Sequence, residues 1–291
     1  MFAARWLMKC GVAAAIVLIA CGFATARFGG GLQMPATTTR DGTLITLSRY
    51  LREPVPDIVL LGSSLTLRLK EEYFATPGLR NLALAGGSPV TGLEIVANQP
   101  QLPQYILVEA NVLSRLTDIA LVERYSRGGP EPLFFRPVRA AVVAYERLLH
   151  APLTHEQVTH ALRALVARPP VDYDSRVYAD RALHQFNDED PTDAARRNTK
   201  RIEELNRMLE QRGARVLLFE LPYSEPIESS RFAATTREII HAAFPDSKRW
   251  LSIEVDRSEL RWADGVHLDE RSAVIVTQAL ERAMASTRAA P

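Results

Sequence analysis

Hydrophobic residues in this chain form short continuous runs separated by amphipathic stretches, from about residue 55 to the end. Ile58–Leu61 and Tyr105–Val108 are bounded by turn-forming residues, which is typical of strands buried on both faces of a parallel sheet. Leu79–Leu84, Val216–Phe219 and Leu251–Val255 continue the series. Alternation of such runs with helical stretches predicts an α/β fold with about five parallel strands.

Helical periodicity lies between these runs. It is clearest from about Asp193 to Arg212, where apolar residues share one helix face and Gly213 supplies a stop signal. Shorter helices are predicted over Leu65–Phe74, Gly92–Asn98, Thr154–Val166, Ala233–Phe244 and Glu270–Met284. Because ligands of such sheets bind at the carboxyl ends of the strands, the residues just past each run are the candidates for chemistry.

The rhythm is interrupted over residues 116–190, where prolines and glycines separate short helical pieces. We interpret this stretch as a mostly helical insertion, because its apolar content is too broken for a core of its own. The 291 residues are therefore expected to form an N-terminal anchor (1–30) and one α/β domain (31–291). Residues from Gly29 to Thr43 are predicted to be a linker.

The N-terminal segment is apolar behind a basic flank. Arg5 and Lys9 precede an uncharged stretch from Cys10 to Ala26, close to the lower limit of about 17 residues for a helix that spans a bilayer. The positive flank should stay in the cytoplasm, so the rest of the chain should lie beyond the membrane. The expected location is a single-pass position in the inner membrane, with the folded domain in the periplasm.

Three fates of this segment remain open. It can stay as an anchor, or it can be cleaved after the small residues Ala24-Thr25-Ala26. Alternatively, Cys21 can carry lipid, because Leu18-Ile19-Ala20-Cys21 resembles a bacterial lipobox. Each fate delivers the domain outside the cytoplasm.

Composition narrows the chemistry. Lys and Arg total 35 against 34 for Asp and Glu, so charge gives no case for nucleic acid as a partner. Both cysteines lie in the N-terminal segment, so the rest of the chain has no thiol for a disulfide, a thiolate metal site or a nucleophile. His150, His155 and His160 are five residues apart and do not share a helix face, so we expect surface residues and no metal site.

A serine follows the first predicted strand. Gly62-Ser63-Ser64 forms a strand-to-helix turn, where the Ser64 hydroxyl can be exposed and a helix N-terminus can stabilise negative charge. Taken alone, such a turn is more often only a helix N-cap. The serine is therefore a candidate nucleophile that needs partners.

Two hydrogen-bond donors are expected at the same edge of the sheet. The second strand leads to Gly86, whose backbone amide is unobstructed, and the third leads to Asn111, which offers a side-chain amide. An oxyanion intermediate needs such donors, each worth about 3 kcal/mol of barrier. Taken singly, a tight turn and a capping asparagine explain these residues equally well.

A candidate general base precedes the last predicted helix. A serine at its ordinary pKa is a poor nucleophile and needs a base that is itself oriented by an acid. Asp264 lies three residues before His267, close enough in a turn to meet the far nitrogen of its imidazole. The other histidines lack such a neighbour.

These four blocks, in this order, resemble those of the SGNH (GDSL-like) hydrolase superfamily over essentially the whole domain. The resemblance implies a flavodoxin-like sheet of strand order 2-1-3-4-5. It implies Ser64 as the nucleophile and Asp264 and His267 as its acid and base. The oxyanion hole would be formed by Ser64, Gly86 and Asn111. No metal or organic cofactor is expected.

Two residues depart from the pattern of that superfamily. Ser63 stands where an aspartate is usual, and Glu109 replaces a glycine that commonly lies two residues before the asparagine. A carboxylate close to the oxyanion would oppose the developing charge. Glu109 must therefore point away from the oxyanion, or the site must be tuned for unusual chemistry.

The expected activity is that of a membrane-anchored serine acyl-esterase or O-acyltransferase acting on ester groups of an envelope or extracellular glycan. A membrane anchor combined with a Gly-Ser-Ser turn is similar to accessory proteins of cell-envelope O-acylation, which implies a membrane-bound acyl-donor partner. Arg124, Arg127, Arg136 and Arg139 are candidates to contact that partner or an anionic polysaccharide, or they form a solvated face. The alternative function is a non-catalytic binding or scaffolding subunit of an envelope assembly.

Overall fold

The structure is a computed structural model that describes residues 2–28, 39–126, 145, 149 and 153–289. Its contacts divide the chain into two units. One comprises Met1–Pro54 with Pro130–Thr154, and the other comprises Val55–Gly129 with His155–Pro291. The predicted boundary at residue 30 lies outside the described residues.

In the first unit, helix α1 (Phe2–Phe28) contains a segment, Ala3–Phe23, that is long and apolar enough to cross a membrane. A signal sequence passes the same test, and the apolar side chains of this segment are exposed. Helix α2 (Thr39–Arg52) follows, so the predicted linker from Gly29 to Thr43 is wrong over its last residues. Leu44, Leu47 and Leu51 have helical spacing, a signal that the Gly- and Thr-rich composition obscured.

The second unit contains an all-parallel sheet of five strands in the order β2-β1-β3-β4-β5, as predicted. Ile58 pairs with Leu79 on one side and Tyr105 on the other, and Tyr105 pairs with Arg215. The strands are β1 (Ile58–Leu61), β2 (Leu79–Asn81), β3 (Tyr105–Glu109), β4 (Arg215–Phe219) and β5 (Trp250–Leu251).

Helices cover both faces of this sheet. Side chains alternate between the faces of a strand, so Leu60 and Leu61 point in opposite directions. Leu60 belongs to a buried cluster with Val276 of the last helix, whereas Leu61 lies against Gly92 of the helix after β2. Continuous apolar runs are the consequence of this two-sided burial.

The helices of this unit mostly lie where the periodicity predicts them. They are α3 (Ser64–Leu67), α4 (Pro89–Ala97), α5 (Ile119–Ser126), α6 (His155–Val166), α7 (Arg176–Asp188), α8 (Thr192–Gln211), α9 (Glu225–Glu228), α10 (Arg231–Ala243) and α11 (Glu270–Ala289).

The predicted helix Leu65–Phe74 is divided into α3 and a 3-10 turn at Glu71–Tyr73. Asn81 of β2 lies at this break, where its side-chain amide donates to the carbonyls of Thr66 (2.8 Å) and Leu69 (2.7 Å). It thereby supplies hydrogen bonds to carbonyls at the end of α3 and in the turn that follows.

The interrupting segment contains α5, α6 and α7 in its described part. Arg124 lies in α5, whereas Arg127, Arg136 and Arg139 lie outside the described residues. His155 and His160 are exposed on α6, as expected, and His150 also lies outside the described residues.

Candidate active site

A continuous chain of hydrogen bonds joins three side chains from two distant parts of the sequence. The Ser64 Oγ lies 2.7 Å from His267 Nε2, and His267 Nδ1 lies 2.7 Å from Asp264 Oδ2. Ser64 begins α3 directly after β1, and the other two residues lie on the loop before α11. The order acid, imidazole, hydroxyl is the one that base-assisted nucleophilic catalysis requires.

The side chain of Asp264 stabilises the loop on which it lies. Asp264 Oδ1 accepts hydrogen bonds from the backbone amides of Val266 (3.1 Å) and His267 (2.8 Å). Burial alone would raise the pKa of Asp264, but the bonds from His267 hold it well below its ordinary value. Asp264 is therefore ionised, and its negative charge fixes the orientation of the imidazole.

Gly265 allows this loop its tight shape. Its φ of +84° lies in the left-handed region, which side chains with a Cβ rarely adopt. A Cβ at Gly265 would also lie 2.7 Å from the Cα of Ala179, so α7 packs directly against the loop. The loop closes through a hydrogen bond of 2.9 Å from the amide of Ala263 to the carbonyl of His267.

Glu109, whose position raised doubt about the site, faces the base of the nucleophile turn. Its carboxylate accepts from the amide (2.8 Å) and hydroxyl (2.8 Å) of Ser63, and from the hydroxyl (2.6 Å) and amide (3.3 Å) of Thr66. Ser63 Oγ in turn accepts from the amide of Leu65, as the N-cap of α3. One carboxylate thus holds Ser63 before the candidate nucleophile and Thr66 two residues after it.

This carboxylate is completely buried. Burial raises the pKa of Glu109, and the hydrogen bonds from Thr66 and Ser63 partly offset that increase. Gly62 leaves room for it, because a Cβ there would lie 2.6 Å from Glu109 Oε2. Of the two readings left open by the sequence, the structure supports the one in which Glu109 points away from the reacting centre.

Asn111 lies at the carboxyl end of β3, where the sequence placed it, but its side chain is engaged elsewhere. Its amide donates to the carbonyl of Leu221 (2.9 Å), and its side-chain oxygen accepts from the Leu221 amide (2.7 Å). This pair extends the contact between β3 and β4 beyond the last ladder bond. A role for Asn111 in an oxyanion hole stays a prediction.

A cleft of about 340 Å³ opens over the three hydrogen-bonded residues. Ser64, Gly86, Asp264 and His267 line it, whereas Asn111 is not among its lining residues. Gly86 has a φ of +71° with open space where a Cβ would be. The other residues that line the cleft are Ser63, Leu65, Gly87, Val112, Arg115, Tyr178, Arg181, Ala182, Gln185, Phe186, Glu189, Phe232 and Val266.

Sequence reasoning missed the residues that support the nucleophile turn. Thr66 and Asn81 lie within helix and strand patterns and gave no separate signal. A polar residue at the end of a buried run, such as Glu109 or Asn81, is nevertheless a usable sign, because it must have hydrogen-bond partners.

Comparison with known proteins adds no family to this geometry. No protein-family model matches the chain, and no curated protein matches it. The function must therefore be argued from the site.

Proposed function

We propose that this chain is a serine acyl-esterase or O-acyltransferase of the SGNH type, with a flavodoxin-like fold. The observation that carries the proposal is the hydrogen-bonded series Asp264, His267, Ser64, with 2.7 Å at each link. The parallel sheet supports it, because the serine and the cleft lie at the carboxyl ends of the strands.

The first half of the reaction forms an acyl-enzyme. His267 Nε2 takes the proton of Ser64 as its Oγ attacks the ester carbonyl, and Asp264 stabilises the imidazolium that results. The backbone amides of Ser64 and Gly86, two residues that line the cleft, would stabilise the oxyanion. The C–O bond of the ester then breaks, and the leaving oxygen takes the proton from His267.

The second half runs the same steps in reverse with a new acceptor. Water or a sugar hydroxyl gives its proton to His267 Nε2 and attacks the acyl carbon, and the proton then returns to Ser64 Oγ. Hydrolysis and transfer therefore differ only in the acceptor that reaches the acyl-enzyme. The chemistry uses the protein's own groups without an added cofactor.

The N-terminal helix supports a location at the membrane. Arg5 and Lys9 would hold the amino end of α1 in the cytoplasm, and the catalytic unit would then lie in the periplasm. A substrate on that side is an ester group, acetyl above all, on an envelope or extracellular glycan. A membrane-bound partner would supply the acyl group.

Turnover of an aryl acetate by the full-length chain in detergent, with and without oligosaccharide acceptors, tests this proposal. We expect acetate or acetylated sugar with the wild type, and a rate at least about 1000-fold lower for Ser64→Ala and Asp264→Asn. Ser229→Ala is the matched control, because Ser229 is exposed and does not line the cleft.

Each outcome separates the alternatives. Product on the sugar indicates a transferase, and release of acetate that no acceptor changes indicates an esterase. A folded wild type that is no faster than Ser64→Ala would contradict the proposal and favour a non-catalytic scaffolding subunit.

A further inference from the structure

One face of α7 forms a wall of the cleft. Tyr178, Arg181, Ala182, Gln185 and Phe186 line it, and they are spaced by three or four residues, as positions on one helix face are. The packing of Ala179 against Gly265 holds this helix next to the loop of Asp264 and His267. A substrate that reaches Ser64 therefore passes along α7.

This wall has an inner apolar edge. The ring of Phe186 packs edge-to-face on Tyr223 (5.8 Å between ring centroids) and on Phe232 (4.7 Å). Such pairs orient an aromatic ring and fix the helix on the unit beneath it. The inner edge is consequently part of the core and is already engaged.

The outer edge of the wall is exposed. Tyr178 is 59% exposed, and Arg181 and Gln185 are also exposed. An accessible aromatic ring with hydrogen-bonding groups next to it on the same helix face suits a sugar, which has one apolar face and a polar rim. Arg115 adds a second guanidinium to the lining of the cleft.

Both guanidiniums are available to a ligand. Within the part of the chain that the structure describes, neither Arg115 nor Arg181 has an ion pair or a side-chain hydrogen bond. Arg237, Arg249 and Arg271 of the same unit are, by contrast, each paired with a glutamate.

The lining of the cleft also contains two carboxylates. Asp264 is ionised and bonded to His267, and Glu189 lies at the end of α7. The cations equal the carboxylates in number, so the preference for an anion rests on the two guanidiniums without ion pairs, which can bind carboxylate or phosphate in bidentate geometry.

We propose that the outer edge of α7 and Arg115 bind an acidic sugar of the acyl acceptor, with its anionic group between Arg115 and Arg181 and its ring on Tyr178. That the ligand is a saccharide rests on the proposed function, whereas its negative charge follows from the two unpaired arginines. The site would thus select acidic over neutral glycans as acceptors.

Equilibrium binding tests this inference independently of catalysis. The full-length Ser64→Ala chain in detergent is titrated with three oligosaccharides of equal length: an oligogalacturonate, a phosphate-bearing oligosaccharide and a neutral one. We expect the acidic probes to bind at least about tenfold more tightly than the neutral one, because only they can form charge-assisted hydrogen bonds with the guanidiniums. The two acidic arms distinguish carboxylate from phosphate as the anionic group.

Variants in the same background assign the effect. Arg115→Ala and Arg181→Ala should each weaken acidic binding about tenfold and leave neutral binding unchanged, whereas Tyr178→Ala should weaken both. Glu189→Gln should strengthen acidic binding. Arg163→Ala is the control, because Arg163 is exposed on α6 and does not line the cleft.

Equal affinity for acidic and neutral probes, or an Arg181→Ala variant that behaves like Arg163→Ala, would overturn the inference. Acyl transfer to a neutral acceptor would then leave the proposed function in place. If the chain binds the acidic probes selectively but wild-type Ser64 never reacts, the proposed function is contradicted and the acidic-sugar site is retained.

Discussion

At the scale of single residues, the two departures from the superfamily pattern are one linked feature. Ser63 and Glu109 are in direct hydrogen-bond contact, so the hydroxyl at one position accounts for the carboxylate at the other. This carboxylate belongs to Glu109, the last residue of β3. Its hydrogen bonds with Ser63 and Thr66 hold the turn that contains Ser64.

This coupling makes a prediction about paired substitutions. Glu109→Gly should slow modification of Ser64 by about 100-fold, because small displacements of a reacting group are costly. Ser63→Asp combined with Glu109→Gly should recover part of that loss, since it restores the arrangement usual in the superfamily. The double-mutant cycle is obtained from the rates at which Ser64 reacts with a fluorophosphonate, measured below the melting temperatures of all variants. Independent effects of the two substitutions would contradict the coupling.

The buried carboxylate also predicts how stability varies with pH. The pKa of Glu109 is raised in the folded chain, so the folded state binds this proton more tightly than the unfolded state does. Stability should therefore fall as pH rises from about 4.5 to the folded pKa, and no further above it.

Urea unfolding at a series of pH values measures this effect. Glu109→Gln cannot titrate, so its free energy of unfolding should lack the decrease that the wild type shows in that window. Parallel curves for the two proteins would show that Glu109 does not titrate as described.

The sequence indicated the three residues of the candidate triad, but it gave no signal for the residues that hold the nucleophile turn in place. Ser64, Asp264 and His267 stand out because each follows a strand or precedes a helix in a recognisable order. Glu109 and Asn111 could be placed at the edge of the sheet, but the direction of a side chain depends on partners far along the chain. Leu221, which engages Asn111, is 110 positions away from it.

At the scale of elements, α7 packs against the loop of Asp264 and His267 and constrains its shape. Gly265 has both a positive φ and Ala179 within 2.7 Å of a hypothetical Cβ. Gly213 has a similar φ of +87° and open space around it. The two glycines therefore separate the cost of backbone strain from the cost of a steric clash.

Alanine substitutions at Gly213 and Gly265 should have different effects on stability and on the rate of reaction at Ser64. Gly213→Ala should cost about 1–2 kcal/mol of stability through its φ and leave the rate at Ser64 unchanged. Gly265→Ala should cost about 1–3 kcal/mol more from the clash and should also slow the reaction, because the loop must shift. Thermal unfolding and phosphonylation rates measure both effects. Equal effects of the two variants would show that α7 does not constrain the loop.

Element prediction succeeded where local periodicity and tertiary packing agree. The five strands overlap their predicted runs, although β2 ends at Asn81 instead of Leu84 and β5 is Trp250–Leu251 instead of Leu251–Val255. The strands β1, β3 and β4 are predicted best, because a segment buried on both faces shows its burial as an unbroken apolar run. The prediction was wrong for Leu65–Phe74, whose apolar spacing looks like one helix. Leu65, Leu69 and Tyr73 are indeed all buried. At the point where the helix ends, however, Asn81 of β2 donates hydrogen bonds to backbone carbonyls, and this contact is not visible in the local sequence.

At the scale of the whole molecule, α1 should fix the chain to a membrane. We expect the full chain to remain in the membrane fraction after alkaline washing, and a variant without residues 2–28 to be released. A phosphatase reporter fused after Pro291 should be active, because that enzyme folds only outside the cytoplasm. An inactive fusion, with a cytoplasmic reporter active at the same site, would contradict the orientation.

The same preparation distinguishes the three fates of the segment. An intact mass indicates a retained anchor, a mass without the first 26 residues indicates cleavage, and incorporation of labelled fatty acid that Cys21→Ala abolishes indicates lipidation. All three outcomes are compatible with catalysis in the periplasm, since the site lies within the second unit.

The central claim is that Ser64 is a nucleophile activated by His267. Reaction of the full-length chain with a fluorophosphonate, followed by mass spectrometry of the peptide that contains Ser64, tests it most directly. We expect one phosphonyl group per chain on Ser64, no labelling of Ser64→Ala, and a rate at least about 1000-fold lower for His267→Ala. Equal labelling of the wild type and Ser64→Ala, or no labelling of a folded wild type, would contradict it.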